Sequence, residues 1–204
     1  MRTGRWYHGR KRKNSRIFLH MLLKGVVLMM TILIMAIPAT QPALAATATE
    51  IDRDVDSAFE KMYAVSPAAK ELAKVAKGIL VFPSVVKGGL VIGGQYGVGA
   101  LRVKGKTAGY YNTVAASYGL QAGVQSFGYA LFFMTDSALA YLKRSEGWEI
   151  GLGPSIVVVD EGMANSLTTT TAKDDVYAFF FSQSGLMVGL GLQGSKISPI
   201  TPGK

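Results

Sequence analysis

The chain has 204 residues, with 22 Lys and Arg against 13 Asp and Glu, two histidines and no cysteine. Both histidines, His8 and His20, stand in the first 45 residues, so the rest of the chain carries neither imidazole nor thiol. That excludes a Ser-His-Asp or Cys-His nucleophile there, a zinc site built on Cys or His, and any disulfide.

The N-terminal stretch is basic and then apolar. Arg2, Arg5, Arg10, Lys11, Arg12, Lys13, Arg16 and Lys24 precede Ala46, and no acidic residue does. An apolar run follows from Gly25 to Ile37, then Pro38, Pro42 and the small-x-small site Ala43-Leu44-Ala45. Basic, apolar and A-x-A regions in this order describe a secretory signal peptide. The run is shorter than the roughly 20 residues a spanning helix needs. The expectation is a leader over residues 1–45, cleaved near Ala45, and one periplasmic or secreted domain over residues 46–204. A leader retained as an inner-membrane anchor is the alternative. Without the leader, 14 basic residues stand against 13 acidic ones, a net charge of +1. Such a balance does not steer a protein toward DNA or RNA, so no nucleic-acid partner is expected.

Two helices open the domain. From Glu50 to Val65, Ile51, Val55, Ala58, Phe59 and Met62 recur at helical spacing. Asp52, Asp54 and Asp56 crowd the first half, where negative charge suits a helix N-terminus. This stripe is expected to pack on the sheet rather than dip into a membrane, because the polar face beside it is acidic. Ser66-Pro67 reads as an N-cap followed by proline at the first helical position. The next helix is expected to run through "PAAKELAKVAK" and end at Gly78, with Lys70, Lys74 and Lys77 on one side.

Beyond Gly78 the pattern turns to β. "ILVF", "GLVIGGQYGVGALRV", "AGYYNTVAASYGLQAGV" and "SFGYALFFM" are rich in β-branched and aromatic residues, with glycines that permit bulges or close backbone approach. Residues 135–144 read as a helix, with Asp136 in its first turn and Lys143 and Arg144 in its last. "WEIGLGPSIVVVD", a polar loop and "VYAFFFSQSGLMVGLGLQGSKI" follow, with Ser184-Gly185 read as a hairpin turn. Trp148 is expected to anchor a strand start. The fold class is α+β: helices packed on a curved, largely antiparallel, glycine-rich sheet.

"GLGLQG", residues 189–194, fits the G-x-G-x-x-G of a dinucleotide loop. That loop works only between a strand and a helix N-terminus. After Gly194 come ten residues including Pro199 and Pro202, which cannot supply the helix. The glycines are read as part of a strand, and no nucleotide is expected.

Three stretches carry a family resemblance: "AKGILVFPSVVKGGLVIGGQYGVGAL" (76–101), "GLQAGVQSFGYALFFM" (119–134) and "VYAFFFSQSGLMVGLGLQGSKI" (176–197). In this order they resemble the motifs of the SYLF family, a lipid-binding group linked in fungi to actin regulation. The resemblance implies affinity for anionic membrane lipid and supplies no catalytic residue and no cofactor. Actin is not expected as a partner of an exported protein.

Two basic groups are the candidate lipid-binding residues: Lys70, Lys74, Lys77 and Lys87, and then Arg102, Lys104 and Lys106. The second group shares one face if a strand runs that far. Each cation near an anionic surface contributes about 1 kcal/mol, within a Debye length of roughly 8 Å. The reading is a non-enzymatic protein that docks on anionic phospholipid through a basic patch. One alternative is a small outer-membrane β-barrel. The other is an enzyme using carboxylates alone, for which Asp160-Glu161 and Asp174-Asp175 are the candidates.

Overall fold

The computed structural model describes residues 46–89, 92–118, 123–159, 161–164, 167–185 and 194–203. The chain divides after Leu44, and the fold is that of the unit Ala45–Lys204. The expected leader lies outside the described residues.

Helix α1, Ala48–Val65, starts at the N-cap Thr47 with a capping box: Thr47 Oγ accepts from Glu50 N–H, and the Glu50 carboxylate accepts from Thr47 N–H. The bond from Thr47 N–H, with a second from the Thr47 hydroxyl to the same carboxylate, lowers the Glu50 carboxyl from its ordinary value. Ile51, Val55, Ala58 and Met62 are its buried face. Helix α2, Pro67–Leu72, has Ser66 as N-cap and proline in its first turn, as expected. It is shorter than the sequence suggests. Residues 73–75 form turns, and Gly78 opens strand β1 rather than ending a helix.

The strands are β1 (Gly78–Gly89), β2 (Ile92–Val103), β3 (Lys106–Tyr118) and β4 (Gly123–Phe133). Helix α3 follows at Asp136–Arg144, then β5 (Trp148–Glu149) and β6 (Ile156–Val159). A single turn of helix, α4 (Glu161–Ala164), interrupts what reads as a polar loop, and β7 (Val176–Gly185) and β8 (Lys196–Ile200) close the fold. All eight strands form one sheet in the order β5-β8-β3-β2-β1-β4-β7-β6. Every pairing is antiparallel except β6 with β7.

Alternation along the strands splits the core in two. Ile79, Val81, Ala100, Ala130, Phe132, Tyr177 and Phe179 point to the face covered by α1 and α2. Leu80, Phe82, Leu101, Tyr129, Leu131, Phe133, Val176 and Ala178 point to the other, where Leu139 and Leu142 of α3 and Trp148 join them. This second face is concave. β4 and β5 are five strands apart in the sheet, about 24 Å if it were flat, yet the Phe133 and Trp148 rings lie 5.9 Å apart. The fold is thus α+β on a curled sheet. Trp148 does anchor a strand start: it is fully buried and its Nε1–H donates to Leu152 O at 2.8 Å.

Two details of the sheet depart from the sequence reading. Ser184-Gly185 is not a hairpin turn, because both residues pair with β4. The irregularity sits at Ser182 (φ 52°), where Ser182 and Gln183 bulge opposite Phe127. Of the 189–194 glycine motif, residues 189–193 lie outside the described residues, and Gly194 (φ 77°) is in a turn before β8. One glycine has a plain steric reason: a Cβ on Gly99 would run into the Val81 carbonyl oxygen where β1 bulges. The closed-barrel alternative does not describe this sheet. β5 and β6 are its edges, and α1 and α2 lie on its convex face.

Thr135 caps α3, its Oγ accepting from Ala138 N–H and donating to Asp175 Oδ1 at 2.9 Å. Thr135→Ala removes both bonds. It is expected to cost about 1 kcal/mol and to lower the thermal midpoint by about 2–4 °C, as read by circular dichroism.

Candidate functional site

Asp52 and Asp56 are four residues apart on α1 and flank its buried stripe, so both face the β2–β3 hairpin. Arg102, near the end of β2, meets them. Its guanidinium lies 3.3 Å from Asp52 Oδ1 and 2.6 Å from Asp56 Oδ1, and it donates to Asp52 O at 3.2 Å and to Thr107 Oγ1. Asp52 also accepts from Thr107 Oγ1 at 2.8 Å and from Tyr110 OH at 2.9 Å. Burial, then the Asp52 carboxylate, pushes the Tyr110 phenol upward. The Arg102 side chain is only 13% exposed. It ties α1 to the hairpin and is not a free surface cation.

Beside this cluster is a groove of about 440 Å³. Phe59 and Tyr63 of α1, Ala73, Ala76 and Ile79 form its apolar walls, and Asp56, Lys74, Arg102 and Lys104 are its charged groups. The Phe59 and Tyr63 rings pack against each other in a tilted arrangement, 5.5 Å between centroids. The groove therefore joins one member of the first predicted basic group with two of the second.

The other candidates fall in several places. Lys70 lies in the last turn of α2 and is exposed. Lys74 is paired with Glu71 at 2.7 Å, both well exposed, a contact of little net strength. Lys77 lies 3.9 Å from Asp136. Because α2 stops at Leu72, the expected helical row of Lys70, Lys74 and Lys77 does not form. Lys87 is ten residues along β1 from Lys77, about 33 Å at strand rise, and belongs to the far end of the sheet. The expected single face for Arg102, Lys104 and Lys106 is also corrected. β2 ends at Val103, and Lys104 and Gly105, both at positive φ, make a two-residue turn with Val103 opposite Lys106. Lys104 and Lys106 are exposed on that turn.

The Asp174-Asp175 pair is held by separate local hydrogen bonds. Asp175 accepts from Thr135, and Asp174 accepts from Tyr177 OH at 3.2 Å. Asp160 and the Glu161 side chain lie outside the described residues. Among the described residues, no three carboxylates come together as metal ligands.

Sequence reasoning missed Asp52, Asp56, Thr107 and Tyr110. Their signal was the spacing of four between acids that border the apolar stripe, read only as helix N-terminal charge.

Residues 114–201 match the family model Ysc84, described as Las17-binding protein actin regulator. Over residues 114–201 the chain is thus similar to the SYLF family whose motifs it resembles. The matched stretch begins inside β3, so the groove residues lie ahead of it. No curated protein matches this chain.

Proposed function

We propose that this protein is an exported, non-enzymatic module that docks on anionic phospholipid through the groove between α1 and the β2–β3 turn. The supporting observation is the joining of Lys74 and Lys104 across an aromatic wall of Phe59 and Tyr63. An apolar wall takes the upper acyl region and the two ammonium groups take phosphate. Lys70, Lys77 and Lys106 lie close by in the chain and add long-range attraction. Arg102 is left out of the lipid contacts because its charge is already met by two carboxylates. The actin role in the family's description is not carried over, since an exported module does not meet cytosolic filaments.

The test is co-sedimentation of residues 46–204 with phosphatidylglycerol vesicles. Lys74→Gln, Lys77→Gln, Lys104→Gln and Lys106→Gln combined is expected to weaken binding by two to three orders of magnitude, at about 1 kcal/mol per lysine. High salt should do the same to the unmutated protein. Equal pelleting with neutral vesicles overturns the proposal.

A second reading rests on the opposite end of the sheet. Val86, Tyr96 and Val114 are register neighbours on the convex face, and with Val124 they are 44–65% exposed. No charged residue stands between Gly88 and Leu101, Thr107 and Thr135, or Val176 and Ser195. That end suits entry into the bilayer itself. Binding that ignores salt and is lost in Val86→Ser/Tyr96→Ser favours it over the groove.

A further inference from the structure

Lys87 has a role that the basic-patch reading does not use. Two residues beyond the buried Val85, it points to the concave face, where Val85 belongs to the core. Its register partners are Gln95 on β2 and Gln125 on β4. Directly paired residues share a face, with Cβ atoms about 5 Å apart. Gln95, Lys87 and Gln125 thus form one polar row across three strands, above the aromatic core of Phe127 and Tyr129.

The two glutamines are 6% and 5% exposed. Gln95 is fixed, its Nε2 donating to the buried Ser195 Oγ at 2.9 Å. Gln125 is not: its Oε1 is buried without a hydrogen-bond partner among the described residues. Lys87 forms no ion pair among the described residues. A buried acceptor left unmet is costly, and native folds retain few of them. The other such atom, Asn112 Oδ1, lies on the opposite face.

We infer that the Lys87–Gln95–Gln125 row is a binding site for an oxyanion that still carries a proton, a phosphate monoester or inorganic phosphate. Lys87 supplies the positive charge to the anionic oxygen. Gln125 Oε1 accepts the P–O–H hydrogen, which sulfate lacks at neutral pH. The site is separate from the groove proposed above and does not depend on it.

Calorimetric titration of residues 46–204 with inorganic phosphate and with sulfate tests this. Phosphate is expected to bind at least tenfold more tightly, and Lys87→Met to abolish the difference. Gln125→Leu is expected to raise the thermal midpoint of the free protein by about 2–4 °C, by removing an unmet acceptor, and to abolish phosphate binding. Vesicles separate the two sources of ligand. Stronger retention on phosphatidic acid, a monoester, than on phosphatidylglycerol, a diester, that is lost in Lys87→Met assigns the site to a lipid headgroup. Phosphate binding without that preference assigns it to a free phosphate compound. Equal affinity for phosphate and sulfate, no phosphate binding, or a lowered midpoint in Gln125→Leu overturns the inference.

Discussion

Replacing Arg102 by methionine is expected to lower the thermal midpoint by about 5–10 °C and to leave the vesicle affinity of the folded protein within about twofold. The stability loss follows from what the guanidinium leaves behind. Removing one partner of a buried ion pair costs about 3–5 kcal/mol. Here Asp52 is 32% exposed and Asp56 71% exposed, so water takes over part of the lost interaction. A loss of about 2–3 kcal/mol is the resulting estimate, at roughly 2–4 °C per kcal/mol for a domain of this size. Methionine keeps the aliphatic packing along β2, so the charge is what is tested. Arg102→Met and Asp52→Asn combined should cost less than their sum, by about 1–2 kcal/mol, because each has lost the same partner. Strict additivity would show that Arg102 is not coupled to α1. A vesicle affinity that falls tenfold in Arg102→Met would return this residue to the lipid-contacting set.

The contrast between Arg102 and the lysines shows where sequence reasoning reaches. Periodicity located α1, and the spacing of Ile51, Val55, Ala58 and Met62 correctly turned that helix onto the sheet. Ser66-Pro67 marked a real helix start. Strand alternation gave the two faces, because it depends only on neighbours two residues apart. Partners far apart in the chain were invisible. Arg102 and Asp52 are separated by fifty positions, and nothing local to "ALRVKGK" says that its arginine is already neutralised. The curl that carries Trp148 to Phe133 is likewise a property of the whole sheet. Arg102 to Lys106 can be read either as strand or as a turn between strands, and the turn is what forms: Lys104 takes a left-handed position more often filled by Asn or Gly. Lys87 was grouped with Lys70, Lys74 and Lys77 by sequence distance. The extended chain between them separates what composition had pooled.

Raising the pH above about 10 is expected to unfold the protein steeply, while the range from about pH 5 to 9 leaves its stability nearly flat. Residues 46–204 contain no histidine, so no side chain of ordinary pKa titrates in that middle range. Four tyrosines set the alkaline limb. Burial pushes the Tyr63, Tyr110 and Tyr111 phenols upward. Tyr129, fully buried with its OH donating to Thr113 Oγ1 at 2.9 Å, is pushed far above the phenol range. Below the unfolded value, near pH 10, each phenol is protonated in both states and pH has no effect. Above it, the unfolded chain releases protons that the native state retains, and stability falls by about 1.4 kcal/mol per pH unit for each such group. Tyr129→Phe separates the main contributor. At neutral pH it should cost about 1 kcal/mol for the hydrogen bond to Thr113. Above about pH 11 it should be the more stable of the two, because its largest alkaline liability is gone. Thermal midpoints between pH 7 and about 11.5, followed with tyrosinate absorbance, measure both limbs. Parallel curves that never cross would show that Tyr129 does not hold its proton against the solvent.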